Sequence, residues 1–262
     1  MNIFDTHCHL DDEKFNEDRE EAYRRMIEAE VKRCVCVGSD LPSSRRCIDF
    51  AHTHAGVFAA AGVHPHEAKD APADYLDQLT QMLRQERVVA LGEIGLDYYY
   101  DLSPRDVQKR VMAEQVALAV ALDVPVIFHI RDAHGDMVDF FRSCKRLPAG
   151  IIHCFSGSPE TAKEYLRLGY YISFAGPLTF KKAPKLQETA RLVPRDRLLI
   201  ETDSPYLAPE PMRGRRNEPT YVKYVGLKLA ELRGEDPEEV AAYTTENAIR
   251  VYGLRSGSTA IG

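Results

Sequence analysis

Eight short apolar runs punctuate the chain, at residues 3–6, 34–37, 57–62, 88–92, 124–129, 150–153, 170–174 and 198–201. Each is nearly continuous in its hydrophobicity. That pattern predicts strands covered on both faces, as in a parallel sheet, rather than half-solvated antiparallel ones. Between the runs lie segments with helical period. Residues 16–29 set Ala22, Met26 and Ala29 among charges, and residues 103–122 carry Val107, Val111, Gln115, Leu118 and Leu122 on one stripe. Ser103-Pro104 reads as the N-cap and first turn of the latter helix. Helices opened by proline are predicted at 159–168 and 184–192. A final one at 237–252 has acidic residues in its first turn, where the helix dipole favours them.

Strand and helix alternating eight times predict an α/β fold, a single (β/α)8 TIM barrel over residues 1–254, followed by a small polar tail at 255–262 expected to be disordered. A doubly wound open sheet is the rival that strand count alone leaves open. The 262-residue length suits one barrel, and no linker-like stretch divides the chain. No apolar run approaches the roughly 20 residues of a membrane span. The N-terminal residues also lack a secretory pattern, so a cytoplasmic protein without membrane association is expected. The six cysteines are then expected as free thiols. Cys34 and Cys36 share one strand face, which reads as buried small residues or half of a metal site without its second half. A closed barrel leaves no strand edge in need of a partner, so a monomer without an obligate protein partner is expected.

The chemistry gathers at the ends of the runs. His7 and His9 straddle Cys8 after the first run, and His64-Pro65-His66 ends the third. Glu93 ends the fourth, His129 the fifth, His153 the sixth, and Glu201-Thr202-Asp203 the eighth. Six of nine histidines thus sit where barrel active sites are built, at the carboxyl ends of the strands. His52, His54 and His134 fall in a helix end and a loop. Burying so many imidazoles and carboxylates together is costly unless cations pair them. Four histidines with two or three carboxylates exceed the needs of one ion and suit two, with Glu93 as the bridge.

The motifs Asp5-Thr6-His7-Cys8-His9, Gly62-Val63-His64-Pro65, Gly92-Glu93-Ile94-Gly95-Leu96-Asp97, His129, His153-Cys154-Phe155-Ser156-Gly157 and Glu201-Thr202-Asp203-Ser204-Pro205 occur in this order. Together they resemble the TatD-type metal-dependent deoxyribonucleases, within the amidohydrolase-like barrels. Arg213-Gly214-Arg215-Arg216-Asn217-Glu218-Pro219 and Asn247-Ala248 extend the resemblance to about residue 254. The resemblance implies two divalent ions (Mg, Mn, Zn or similar), one on His7, His9 and Glu93 and one on Glu93, His129 and His153. Asp203 is then placed near the reactive water of the first. A third ion in some members would take Glu201, whose other reading is an inward carboxylate held by hydrogen bonds.

The reaction expected is hydrolysis of DNA phosphodiester bonds, 3′ to 5′ from single-stranded ends, with RNA as a further substrate. Asp203 is the expected base, and His64 either hydrogen-bonds the phosphate or protonates the departing oxygen. The net charge of −6 argues against whole-surface attraction to nucleic acid. Lys181, Lys182 and Lys185 after the seventh run, with Arg213, Arg215 and Arg216 after the eighth, would instead supply a local phosphate-binding mouth. Tyr98, Tyr99, Tyr100 and Tyr206 lie beside the ligand motifs, to stack on bases or to pack the rim. Two other readings stand: a hydrolase of a carboxylic ester or amide, such as an aminoacyl-tRNA ester, on the same site, and a non-catalytic binding protein. Glu93, where amidohydrolase relatives often carry a carboxylated lysine, favours the nuclease branch.

Overall fold

All eight runs form parallel strands: β1 (Ile3–Cys8), β2 (Val31–Val37), β3 (Val57–Ala61), β4 (Val88–Asp97), β5 (Val126–Arg131), β6 (Gly150–Ile152), β7 (Tyr171–Phe174) and β8 (Leu198–Ile200). They lie in one sheet in sequence order, which excludes the doubly wound alternative. The computed structural model describes residues 2–254, so the tail at 255–262 falls outside the described residues. Helices alternate with the strands: α1 (Arg19–Glu28), α2 (Leu41–Thr53), α3 (Tyr75–Met82), α4 (Arg105–Leu122), α5 (His134–Ser143), α6 (Pro159–Arg167), α7 (Pro184–Leu192), α8 (Val222–Arg233) and α9 (Pro237–Val251). No helix among the described residues is long and apolar enough to cross a membrane.

Four of these helices, α2, α3, α5 and α8, escape the periodicity reading. The buried face of α2 mixes Ser43 and Ser44 with Leu41, Cys47 and Ile48, and α3 has only eight residues, so neither presents a clean apolar stripe. Asp40 nonetheless caps α2 reciprocally: its carboxylate accepts from Ser43 N at 2.7 Å, while Ser43 Oγ accepts from Asp40 N at 2.9 Å. His134 opens α5 instead of lying in a loop. Ser103 does not cap α4; Pro104 holds that position, and the Ser103 hydroxyl donates to the His66 carbonyl at 2.8 Å.

Alternation along the strands sorts side chains into two clusters. Ile3, Cys34, Val57, Leu91 and Phe128 face the helices, while Phe4, Val35, Phe58, Ala90, Ile127 and Leu199 fill the barrel. The interior is stopped at its amino-terminal end by Ala248, Val251 and Tyr252 of α9, the Tyr252 hydroxyl donating to the Thr6 carbonyl at 2.9 Å. Cys36 and Cys47, both buried, bring their sulfurs to 3.0 Å between β2 and α2, and all six cysteines are free. Cys34 and Cys36 do not pair with each other.

Three strands break their own alternation, β2 at Lys32 and, at the site itself, β1 and β4. Between Asp5 and Cys8 of β1, three steps oppose two on β2, and between Leu91 and Ile94 of β4, three oppose two on β5. Each bulge lets two successive residues face inward. Phe4 and Ala90 point into the barrel, yet so do His7 and Glu93 three residues on. β4 also continues past Glu93 to Asp97, so Glu93 lies within that strand rather than at its end.

Candidate metal centre

The inward side chains beyond the interior apolar layer converge on Glu93. Its Oε1 lies 3.8 Å from His7 Nε2 and 3.5 Å from His9 Nε2. Asp203 Oδ1 is 3.6 and 3.4 Å from the same two nitrogens, which are 3.2 Å apart. The other oxygen, Oε2, lies 2.9 Å from His153 Nε2 and 3.4 Å from His129 Nδ1, with those nitrogens 3.1 Å apart. Four ligands about 2.1 Å from a cation in tetrahedral array stand about 3.4 Å from one another. The spacings match that edge length. Glu93 Oε2 makes no well-directed hydrogen bond although His153 Nε2 is 2.9 Å away, and this suits an oxygen aimed at a cation between them. The donor set of imidazole and carboxylate therefore fits divalent metal on both sides of Glu93.

Each histidine's remaining nitrogen is set by a partner, with one exception. His9 Nδ1 donates to the Val37 carbonyl at 2.7 Å, His129 Nε2 to Asp97 Oδ2 at 3.0 Å, and His153 Nδ1 to Glu201 Oε1 at 3.2 Å. His7 Nδ1 is buried without a partner. Glu201 thus stands behind His153. Its Oε1 also accepts from Cys154 N at 2.7 Å, and it is absent from the groups able to share an ion. Its Oε1 shows the hydrogen-bonded inward carboxylate, while its Oε2 is buried without a partner, so the reading as a ligand stays a proposal.

Charge and burial oppose each other here. Burial would raise the Glu93 carboxyl, but the imidazoles around it, with His153 the one among them that is itself raised, hold it well below the usual carboxylate range. Burial would depress His9, and the Asp203 and Glu93 carboxylates overcome it and lift the ring to about 10. His129 and His153 are raised in the same way, against burial, by Asp97 and Glu93 for the former and Glu93 and Glu201 for the latter. His7 and His64 go the other way: burial, then neighbouring imidazoles, keeps both well below the usual value. His64 Nδ1 accepts from His66 N at 3.1 Å, so the proton of this neutral ring sits on Nε2.

Residues that sequence reasoning passed over complete the site. Asp97, fully buried on the inward face of β4, accepts from His129 and from His66 Nε2, each at 3.0 Å. Period-two spacing from Gly95 was the available signal. Asp5 accepts from Thr202 N at 2.8 Å and from Thr202 Oγ1 at 2.6 Å, joining β1 to the segment that carries Asp203. Arg131 ends β5 two residues beyond His129.

The expected substrate-binding residues separate. Arg216 is committed to Asp18 at 2.6 and 2.7 Å and lies 4.3 Å over the Phe15 ring, so its guanidinium anchors α1 rather than facing a ligand. Arg213 stacks 4.4 Å over Phe180, joining the β7 and β8 loops, and Arg215, Lys181 and Lys182 are exposed. Tyr206 sits at the mouth, its ring 6.2 Å from that of His9, its hydroxyl on Asp12 and Lys14 Nζ 4.2 Å above it. Tyr98 instead packs the rim, its hydroxyl bonded to Asp136 at 2.6 Å. His134 hydrogen-bonds the Tyr165 hydroxyl at 2.8 Å, away from the ligand cluster.

The family model described as TatD related DNase matches residues 4–253. The uncharacterized metal-dependent hydrolase YabD of Bacillus subtilis (strain 168) is 45% identical over 95% of this chain and 98% of its own. The 3′-5′ ssDNA/RNA exonuclease TatD of Citrobacter koseri is 33% identical over 96% of this chain and 99% of its own. Among solved structures, the TatD homolog YjjV of Escherichia coli K12 superposes with a TM-score of 0.91 at 31% identity, covering 97% of this chain and 99% of that one.

Proposed function

This chain belongs to the TatD related DNase family, and from that premise we propose that it is a metal-dependent hydrolase of nucleic-acid phosphodiester bonds, acting 3′ to 5′ on single-stranded ends. The observation that carries the reading is the division of Glu93: one oxygen faces His7, His9 and Asp203, the other His129 and His153. Two divalent cations held there would supply Lewis acidity, polarising the phosphate and making a water acidic enough to attack. Support for the nuclease substrate and its polarity comes from the Citrobacter koseri relative, which is named a 3′-5′ ssDNA/RNA exonuclease.

The chain's own residues divide the remaining work. Asp203 has the most exposed of the cluster's carboxylates, its side chain 15% accessible against 6% for Glu93, so it can reach a water entering from the mouth. It takes that water's proton as the new P–O bond forms and the bond to the departing oxygen breaks. His64, neutral with its proton on Nε2, acts as a hydrogen-bond donor to the phosphate and not as an acid. Glu201 and Asp97 hold His153 and His129 in the tautomers that leave their inward nitrogens free.

The test is turnover of 3′- and 5′-blocked end-labelled oligonucleotides by chelator-stripped protein given single metals in turn. Metal-dependent shortening of single strands with a free 3′ end is expected, abolished by E93Q. Asp203→Asn should lower kcat by about 10² or more while the fold persists. Metal-dependent cleavage of a carboxylic ester with no action on DNA or RNA would overturn the reading.

A further inference from the structure

The β4–α4 loop places two tyrosines on the rim beside the ligand cluster. Tyr99 and Tyr100 are 58% and 54% exposed and meet edge to face, their centroids 4.9 Å apart. One cation packs beside this pair. The guanidinium of Arg131 is 4.1 Å from the Tyr99 ring centroid and 4.8 Å from that of Tyr100. Among the described residues, no carboxylate pairs with Arg131 and no hydrogen bond uses its side-chain donors. Most other arginines at the mouth are engaged, Arg216 on Asp18 and Arg213 near Glu210 among them.

We propose that Arg131 anchors a second phosphate of the substrate, the one next to the phosphate being cleaved. The proposal rests on the nuclease reading above and deepens it: the preferred substrate carries successive phosphates, as a nucleic-acid strand does and a single phosphodiester does not. Position argues for it first. Arg131 follows His129 by two residues on β5 and shares its inward face with Ile127, so it stands about 6.6 Å further toward the rim, on the scale of one nucleotide step.

Preorganisation argues for it next. The perpendicular ring pair packs beside the guanidinium, and with no carboxylate or hydrogen-bond acceptor on it among the described residues, its N–H donors stay available for the bidentate contact that suits a phosphate. The rings are themselves set by Asp97, whose Oδ1 accepts from Tyr99 N at 3.0 Å and Tyr100 N at 2.9 Å. The other oxygen of the same carboxylate holds His129. One buried side chain therefore fixes both the anchor and a metal ligand, and with them the spacing between the two phosphates.

The test compares wild type with R131Q and R131K on an oligothymidylate and on thymidine p-nitrophenyl phosphate, which has one phosphodiester. Expected is a fall of about tenfold or more in the ratio of kcat/KM, oligonucleotide over single diester, for R131Q, and a smaller fall for R131K, which keeps charge but loses the fork. An unchanged ratio, including both activities falling together, would show that Arg131 only braces the loop and would overturn the proposal. If R131Q does not fold, R131K carries the same comparison. Binding of fluorescent hexathymidylate to metal-free protein, followed across salt concentration, reads the anchor without catalysis. Loss of one phosphate contact should flatten the slope of log K against log salt by about 0.7. If the wild type hydrolyses neither substrate, the nuclease reading fails by itself. The salt slope then still decides Arg131: flattened in the variant, the anchor stands; identical, it falls.

Discussion

Asp5 on β1 accepts two hydrogen bonds from one residue beyond β8, Thr202, through its N–H at 2.8 Å and its hydroxyl at 2.6 Å. The strands on either side of this seam are otherwise joined by the bridge Cys8–Ser204, by backbone bonds from His9 N to Ser204 O and from Asp203 N to His7 O, and by the Thr6 hydroxyl donating to the Ile200 carbonyl at 3.0 Å. The carboxylate thus replaces ladder bonds where the barrel closes. Asp5→Ala would strand two buried donors, at roughly 1–3 kcal/mol each. A loss of about 3 kcal/mol is expected in urea denaturation of metal-free protein. Stability equal to wild type would remove the seam role.

Gly95 sits at φ +149°, and a Cβ there would lie 1.9 Å from the His129 carbonyl oxygen. Gly95→Ala must push β4 away from β5 at the very residue that ligates. A destabilisation above about 3 kcal/mol is expected, with weaker metal binding. Gly135 is the matched control. It lies in the first turn of α5 with nothing within 4 Å of its Cβ position, so Gly135→Ala should be neutral or stabilising by about 0.5–1 kcal/mol. Thermal melts of both variants check the pair.

Asp97 accepts from His129 Nε2 without itself facing the cations. Asp97→Ala should weaken metal affinity by about 10- to 100-fold, measured by competition with a chromogenic chelator. The loss should appear as reduced occupancy at low metal and recover at high metal. Asp203→Asn, in contrast, should not regain turnover when metal is raised.

His9, lifted to about 10 by its carboxylate neighbours against burial, holds a proton at neutral pH when no cation is present, and His129 and His153 are raised in the same direction. Ligation requires the neutral ring, so such a proton must leave on binding. Because the metal-free pKa values are raised, affinity should climb with pH from about 6 to about 9 rather than levelling above 7. Calorimetry in buffers of different ionisation enthalpy should register proton release. Binding without release in that range would contradict the assignment.

Much of the barrel was legible in the chain. Near-continuous apolar runs specify covered parallel strands, and the ligand residues at their ends are short-range facts of the sequence. So were His7 and His9 as a pair, since residues two apart in an extended chain share a face whatever surrounds them. The helices α2 and α5 were harder because polar residues sit on their inner faces, where partners across the fold satisfy them. Ser44 answers Gly62, and His134 answers Tyr165.

What only the tertiary structure decided concerns direction. Local alternation from Phe4 would turn His7 outward, and from Ala90 it would turn Glu93 outward. The bulges that reverse this arise from register between neighbouring strands, which no single strand encodes. The fates of the charged residues were equally hidden. Arg216 lies in the motif-rich segment but is spent on Asp18, while Arg131 has no carboxylate partner among the described residues and packs beside two rings. A sequence lists which charges exist; which of them remain uncompensated depends on what packs beside each. That is why the imidazoles and carboxylates of the cluster could be read from the chain and the uncompensated guanidinium of Arg131 could not.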